Sequence, residues 1–80
     1  MAGVIPIASG LNCSEQHTTT GIMVVPSAGA WAVTLQDSTT KIVFEATGTA
    51  NESRFFPVKV SSDAFNMTTA TNITRVLIYV

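Results

Sequence analysis

The chain has 80 residues, four basic and five acidic side chains, a net charge of -1 and a mean hydropathy of +0.38. That length allows one domain, the charge balance offers no basic footprint for nucleic acid, and no apolar run approaches the ~18 residues of a membrane span. Cys13 and His17 are the only residues of their types, which excludes an intramolecular disulfide and leaves too few soft ligands for a metal cluster.

At this size hydrophobic burial and ordering entropy nearly cancel, and small domains usually add a disulfide, a metal or a partner chain. With the first two excluded, association remains. Only 11% of residues are charged, and Lys41 and Lys59 are the only lysines to guard sheet edges, which suits a surface that is mostly covered. The expectation is a chain that assembles with copies of itself or with another protein.

Residues 1–18 read as an extended arm, with Val4, Ile5 and Ile7 as its large apolar residues and Pro6 blocking regular pairing. An arm with so little capacity to fold alone is expected to lie on a neighbour. It lacks the basic flank and apolar length of a signal peptide, so synthesis and assembly in the cytoplasm are expected. Residues 19–80 read as the folded domain. Threonine, valine and isoleucine dominate it and favour extended backbone.

The first predicted strand runs from Thr20 to Val25 and stops at Pro26. The next, Ala30 to Gln36, sets Trp31, Val33 and Leu35 on one face. Asp37-Ser38-Thr39-Thr40 is a hairpin turn, and the return strand from Lys41 to Glu45 is expected to point Ile42 and Phe44 inward. After a polar loop at 48–53, Pro57 restricts residues 54–60 to an edge strand or a bulge, with Phe56, Val58 and Val60 toward the core. A weaker strand spans Ala64 to Thr69. The last, Asn72 to Val80, is apolar on both faces, as strands central to a sheet or facing another subunit are. The fold class expected is all-β: a small antiparallel β-sandwich, jelly-roll-like or Greek-key, preceded by the arm.

No catalytic constellation is visible, and the chain does not read as an enzyme. His17 lies in the polar stretch Glu15-Gln16-His17-Thr18 without a tuned partner, and Cys13 reads as a small buried hydrophobe. Asp37 and Asp63 read as turn caps. All four asparagines have Ser or Thr two positions on, which the abundance of those residues explains better than glycosylation does. Phe55 points opposite to Phe56, and Tyr79 opposite to Ile78. With Leu77 and the arm residues Val4, Ile5 and Ile7, they are the candidate partner contacts. No cofactor or metal is expected.

The order of features from Thr20 onward resembles a group of small β-sandwich virion proteins of tailed bacteriophages. The resemblance rests on Thr20-Gly21-Ile22 after an extended arm and on Val33-Thr34-Leu35-Gln36-Asp37. It continues through a Gly/Thr-rich loop and a Phe-x-Pro-like edge to the aliphatic close Val76-Leu77-Ile78-Tyr79. It covers about three-quarters of the chain, as a pattern without a residue-level signature. The departures are Phe55-Phe56 before the proline and a rather apolar arm. The resemblance implies a capsid decoration (cement) subunit, a homotrimer on the virion surface, with the major capsid protein as partner. The alternative is a tail-fibre or baseplate module that recognises host surface glycans.

Overall fold

A computed structural model describes residues 3–8 and 12–80, and those residues form an all-β domain. The strands are β1 (Val4–Ile7), β2 (His17–Thr18), β3 (Gly21–Pro26), β4 (Trp31–Gln36), β5 (Ile42–Gly48), β6 (Arg54–Phe56), β7 (Ser61–Ser62), β8 (Asn66–Thr71) and β9 (Ile73–Tyr79). They make three antiparallel sheets: four strands in the order β1-β9-β3-β6, three in the order β5-β4-β8, and the small pair β2-β7.

Both larger sheets send alternate residues into one apolar cluster. Ile7, Ile22, Val24, Val76 and Ile78 come from the four-stranded sheet, and Trp31, Val33, Leu35 and Phe44 from the three-stranded one. Period-2 alternation makes this inevitable once each sheet has one buried face. Phe56 of β6 meets Phe44 edge-on at 5.4 Å and Trp31 at 6.5 Å, so three aromatic rings join the sheets along one margin. Trp31 lies flat over its cross-strand partner Gly48, where a Cβ would stand 2.4 Å from the indole. Its Nε1–H donates to the Ala50 carbonyl at 3.1 Å, so the buried ring carries no unsatisfied polar atom.

The chain passes between the two larger sheets at the β3–β4, β5–β6 and β8–β9 connections, and Asn72 ties the first and last of these together. Asn72 sits at φ 54, a left-handed conformation that asparagine tolerates better than most residues. Its side-chain amide donates to the carbonyls of Gly29 and Ala30 at 3.1 and 3.2 Å, and its own carbonyl accepts the Ser27 N–H. In the β4–β5 hairpin, Asp37 Oδ1 accepts the backbone N–H of Thr39 and Lys41 and the Thr39 hydroxyl. Those bonds, the Thr39 hydroxyl first, hold the Asp37 carboxyl below its ordinary pKa. Asp63 caps the same turn from a distance through Ser38.

Four expectations change. The arm is not separate from the domain: β1 pairs with β9 of its own chain in the register Val4↔Tyr79 to Ile7↔Val76, and Ile7 is fully buried. Downstream, Cys13 pairs with Phe65, and β2 with β7. Residues 1–2 and 9–11 of the expected arm lie outside the described residues. Ile42 points outward, 51% exposed, because the ladder skips Val43 between Leu35↔Phe44 and Gln36↔Ile42. A bulge of this kind inverts the alternation that placed Ile42 inside. Pro26 ends within β3, paired with Ile73 across a second bulge. Strand pairing stops at Phe56, and residues 57–60 run on irregularly. There the buried Thr19 hydroxyl donates to the Val58 carbonyl at 2.7 Å and accepts the Val60 N–H at 3.0 Å.

Asn72→Ala should lower unfolding stability by about 2 kcal/mol in urea titrations, through backbone strain and two lost hydrogen bonds. Asn72→Gly, which keeps the backbone conformation, should lose about half as much. The Asp37 carboxyl is depressed on folding, so its contribution is present above the unfolded pKa and is lost as pH falls through the folded value. Resistance to thermal unfolding should therefore fall below about pH 4, and Asp37→Asn should flatten that acid limb.

Candidate functional site

The two larger sheets differ sharply on the faces they turn away from the core. On the three-stranded sheet the outward rows are Ala32-Thr47-Thr71, Thr34-Glu45-Thr69 and Gln36-Ile42-Asn66. Hydroxyls and amides dominate, and Thr34 donates to the Glu45 carboxylate at 3.4 Å. On the four-stranded sheet the outward rows are Val4-Tyr79-Gly21, Pro6-Leu77-Met23-Phe55 and Arg75-Val25. Apart from Arg75 at one end and the Tyr79 hydroxyl, that face offers hydrocarbon, sulfur and aromatic surface. Val4 is 49% and Phe55 48% exposed.

Phe55 is fixed in place by its neighbours. Its ring lies over Gly21, where a Cβ would stand 2.1 Å from Cζ, and it meets Tyr79 edge-on at 5.6 Å and 74°. A glycine under an aromatic ring on adjacent strands lets the ring lie against the backbone, so the anchor loses little side-chain freedom when something docks on it. The face measures on the order of 350 Å² from strand spacing and rise. That is too little for a stable pairwise complex, which needs about 800 Å² per partner, and enough for a weak contact repeated in an array.

Strand addition is obstructed at all four edges of these sheets. Pro6 removes a donor from β1, and Pro57 follows the three-residue β6. On β5 stand a bulge, Glu45 and the adjoining Lys41. On β8 there is a bulge, and Asn12 Oδ1 accepts the Met67 N–H at 3.1 Å beside the Cys13↔Phe65 pair. These are the devices that keep sheets from pairing edge to edge. The faces of these sheets carry no such obstruction.

Of the six residues expected as partner contacts, the structure brings Val4, Phe55, Leu77 and Tyr79 onto this face and turns Ile5 and Ile7 inward. Ile7 has no exposed surface and cannot reach a partner while β1 stays paired. Met23, Val25 and Pro6 were missed. Their signal was present: Gly21-Ile22-Met23-Val24-Val25 is apolar at successive positions, as Val76 to Val80 is. Cys13 and His17 line one shallow open depression with Ile5, Pro6 and Glu15. Cys13 is buried, its sulfur 3.8 Å from the Glu15 carbonyl. Among the described residues no three His, Cys, Asp or Glu side chains gather closely enough to hold a metal ion.

No protein-family model, curated protein or solved structure matches this chain.

Phe55→Lys should cost about 1 kcal/mol of stability or less, the worth of one aromatic edge contact. It should also reduce binding of the dye ANS and lower light scattering at rising protein concentration. An unchanged ANS signal would show that the accessible apolar surface lies elsewhere.

Proposed function

We propose that this chain is a non-enzymatic structural subunit of a tailed-bacteriophage virion, of the capsid decoration (cement) type. In this reading the two larger sheets close as a small β-sandwich. Its four-stranded outer face lies on the major capsid protein and its hydroxyl-rich face meets water. The observation that carries the reading is the contrast between an outer face that is apolar except at Arg75 and the Tyr79 hydroxyl, set with a fixed aromatic anchor, and sheet edges guarded against pairing. Such a surface suits a protein whose work is contact area. The resemblance in the order of strands and turns supports the virion setting, and copies grouped as trimers would multiply a contact that is weak singly.

A tail-fibre or baseplate module reading host glycans is the second reading, favoured by the ring of Phe55, half exposed above Gly21. Against it, Met23, Leu77, Pro6 and Val4 on that face offer no hydrogen-bonding side chain, which leaves the Tyr79 hydroxyl beside the ring and Arg75 at the far end to meet sugar hydroxyls, where sites for polar ligands use several converging polar groups.

Co-sedimentation with empty heads of the encoding phage tests the first reading. The unaltered chain should pellet with the shells, and Phe55→Lys/Leu77→Lys, still folded by circular dichroism, should remain in solution. A native chain that stays in the supernatant at saturating shell concentration, while a host-glycan titration gives saturable heat, would replace the first reading with the second.

A further inference from the structure

We infer that the surface covering the four-stranded sheet belongs to a second protein and carries a carboxylate that meets Arg75, about 13 Å along β9 from the aromatic anchor. The inference rests on the docking reading above and names what the partner must present.

Three observations lead there. Arg75, Leu77 and Tyr79 alternate along the outward side of β9, opposite Val25, Met23 and Gly21, in a ladder that stays regular until the bulge beyond the Arg75↔Val25 pair. The exposed cation therefore stands at a set distance from Tyr79 and from the Phe55 ring that meets it edge-on over Gly21. Among the described residues, the outward rows of this sheet hold no acidic side chain to answer it. Acids elsewhere are answered within the chain: Glu45 accepts from Thr34, Asp37 from Thr39 and Asp63 from Ser38. An arginine covered by a partner loses its water, and that loss opposes docking unless an anion takes the water's place. Its planar fork fits a carboxylate on two bonds.

The described faces of a second copy do not supply such a surface. Two outer faces laid together offer each arginine only the other's rings, over a contact on the order of 350 Å² per side, less than half of what a stable pair buries. The outer face of the three-stranded sheet does present Glu45, but among threonines and amides, with only Ala32 and Ile42 apolar, and it leaves the Phe55 ring without matching cover. An apolar patch with one acid at its margin is therefore a feature of a different protein. The apolar part supplies contact, and the charge pair fixes the orientation in which the subunit lands.

The test uses the full chain and empty heads of the encoding phage. The native chain should pellet with the shells, with an apparent affinity that falls about threefold or more between about 50 and about 500 mM sodium chloride. Arg75→Glu should bind at least about tenfold more weakly, and Arg75→Gln should lose the salt dependence. Arg75→Lys, which keeps the charge, should stay within about threefold of the native chain. Lys41→Glu makes the same charge change on the turn of the other sheet and should bind as the native chain does, all variants being checked for native circular dichroism. A native chain that does not pellet removes the docking reading and this inference together. A native chain that pellets, with Arg75→Glu pelleting equally, overturns this inference alone and leaves the Phe55 and Leu77 variants to decide the docking face. Light scattering in which the native chain pairs and Arg75→Glu does not would assign the face to a second copy. Arg75-dependent binding to vesicles of phosphatidylcholine and phosphatidylglycerol would assign it to a lipid surface, and either result overturns the inference.

Discussion

One shared apolar layer governs this molecule. Neither larger sheet can bury its inner face without the other, and the core is a single cluster to which both contribute. The Trp31, Phe44 and Phe56 rings close its margin, and Phe56 reaches it from β6, a strand of only three residues. Arg54, two residues before, extends its guanidinium over the same ring at 5.5 Å. A short edge strand holds its position because its one inward aromatic meets two others across the interior. The turn chemistry follows from the same demand. Of the three connections that carry the chain between the larger sheets, β3–β4 and β8–β9 are the tighter ones, and Ala30 and Asn72 take left-handed backbone there.

What could be read from the residues was whatever obeys strict alternation. Trp31, Val33 and Leu35 fall on one face of β4 as their spacing requires, and β9, apolar on both sides, lies between β1 and β3. Of the candidate contacts, Phe55 and Tyr79 were legible because each sits beside a residue bound for the core. The misreadings arise where a local rule is broken by one residue. The bulge at Val43 reverses Ile42, and the proline after Phe56 ends pairing sooner than the apolar spacing of Val58 and Val60 suggests. Bulges respond to the twist of the partner strand, which no window of sequence contains.

The N-terminal segment teaches a different lesson. Its composition indicates little capacity to fold alone, and the inference to a neighbouring molecule passed over the nearest available surface. β9 needed a partner on its second edge, and Ile5 and Ile7 carry the alternation that fits it. Insufficiency of a segment shows that it must be covered or paired. It does not show by which copy of the chain.

The contrast between the outer faces gains weight from the low charge. A domain with so few ionised groups stays hydrated through hydroxyls, and Thr47, Thr69 and Thr71 stand together on the three-stranded sheet. β-branched threonine suits strand geometry while offering water a donor and an acceptor, so that face needs no charge to remain wet. The four-stranded sheet lacks this provision, although threonine would have served its strand propensity as well as valine or methionine. Apolar residues at Met23, Val25, Leu77 and Phe55 therefore do not follow from the needs of the strand. They follow if that face is covered when the protein works, by a surface that meets a ring held still above Gly21.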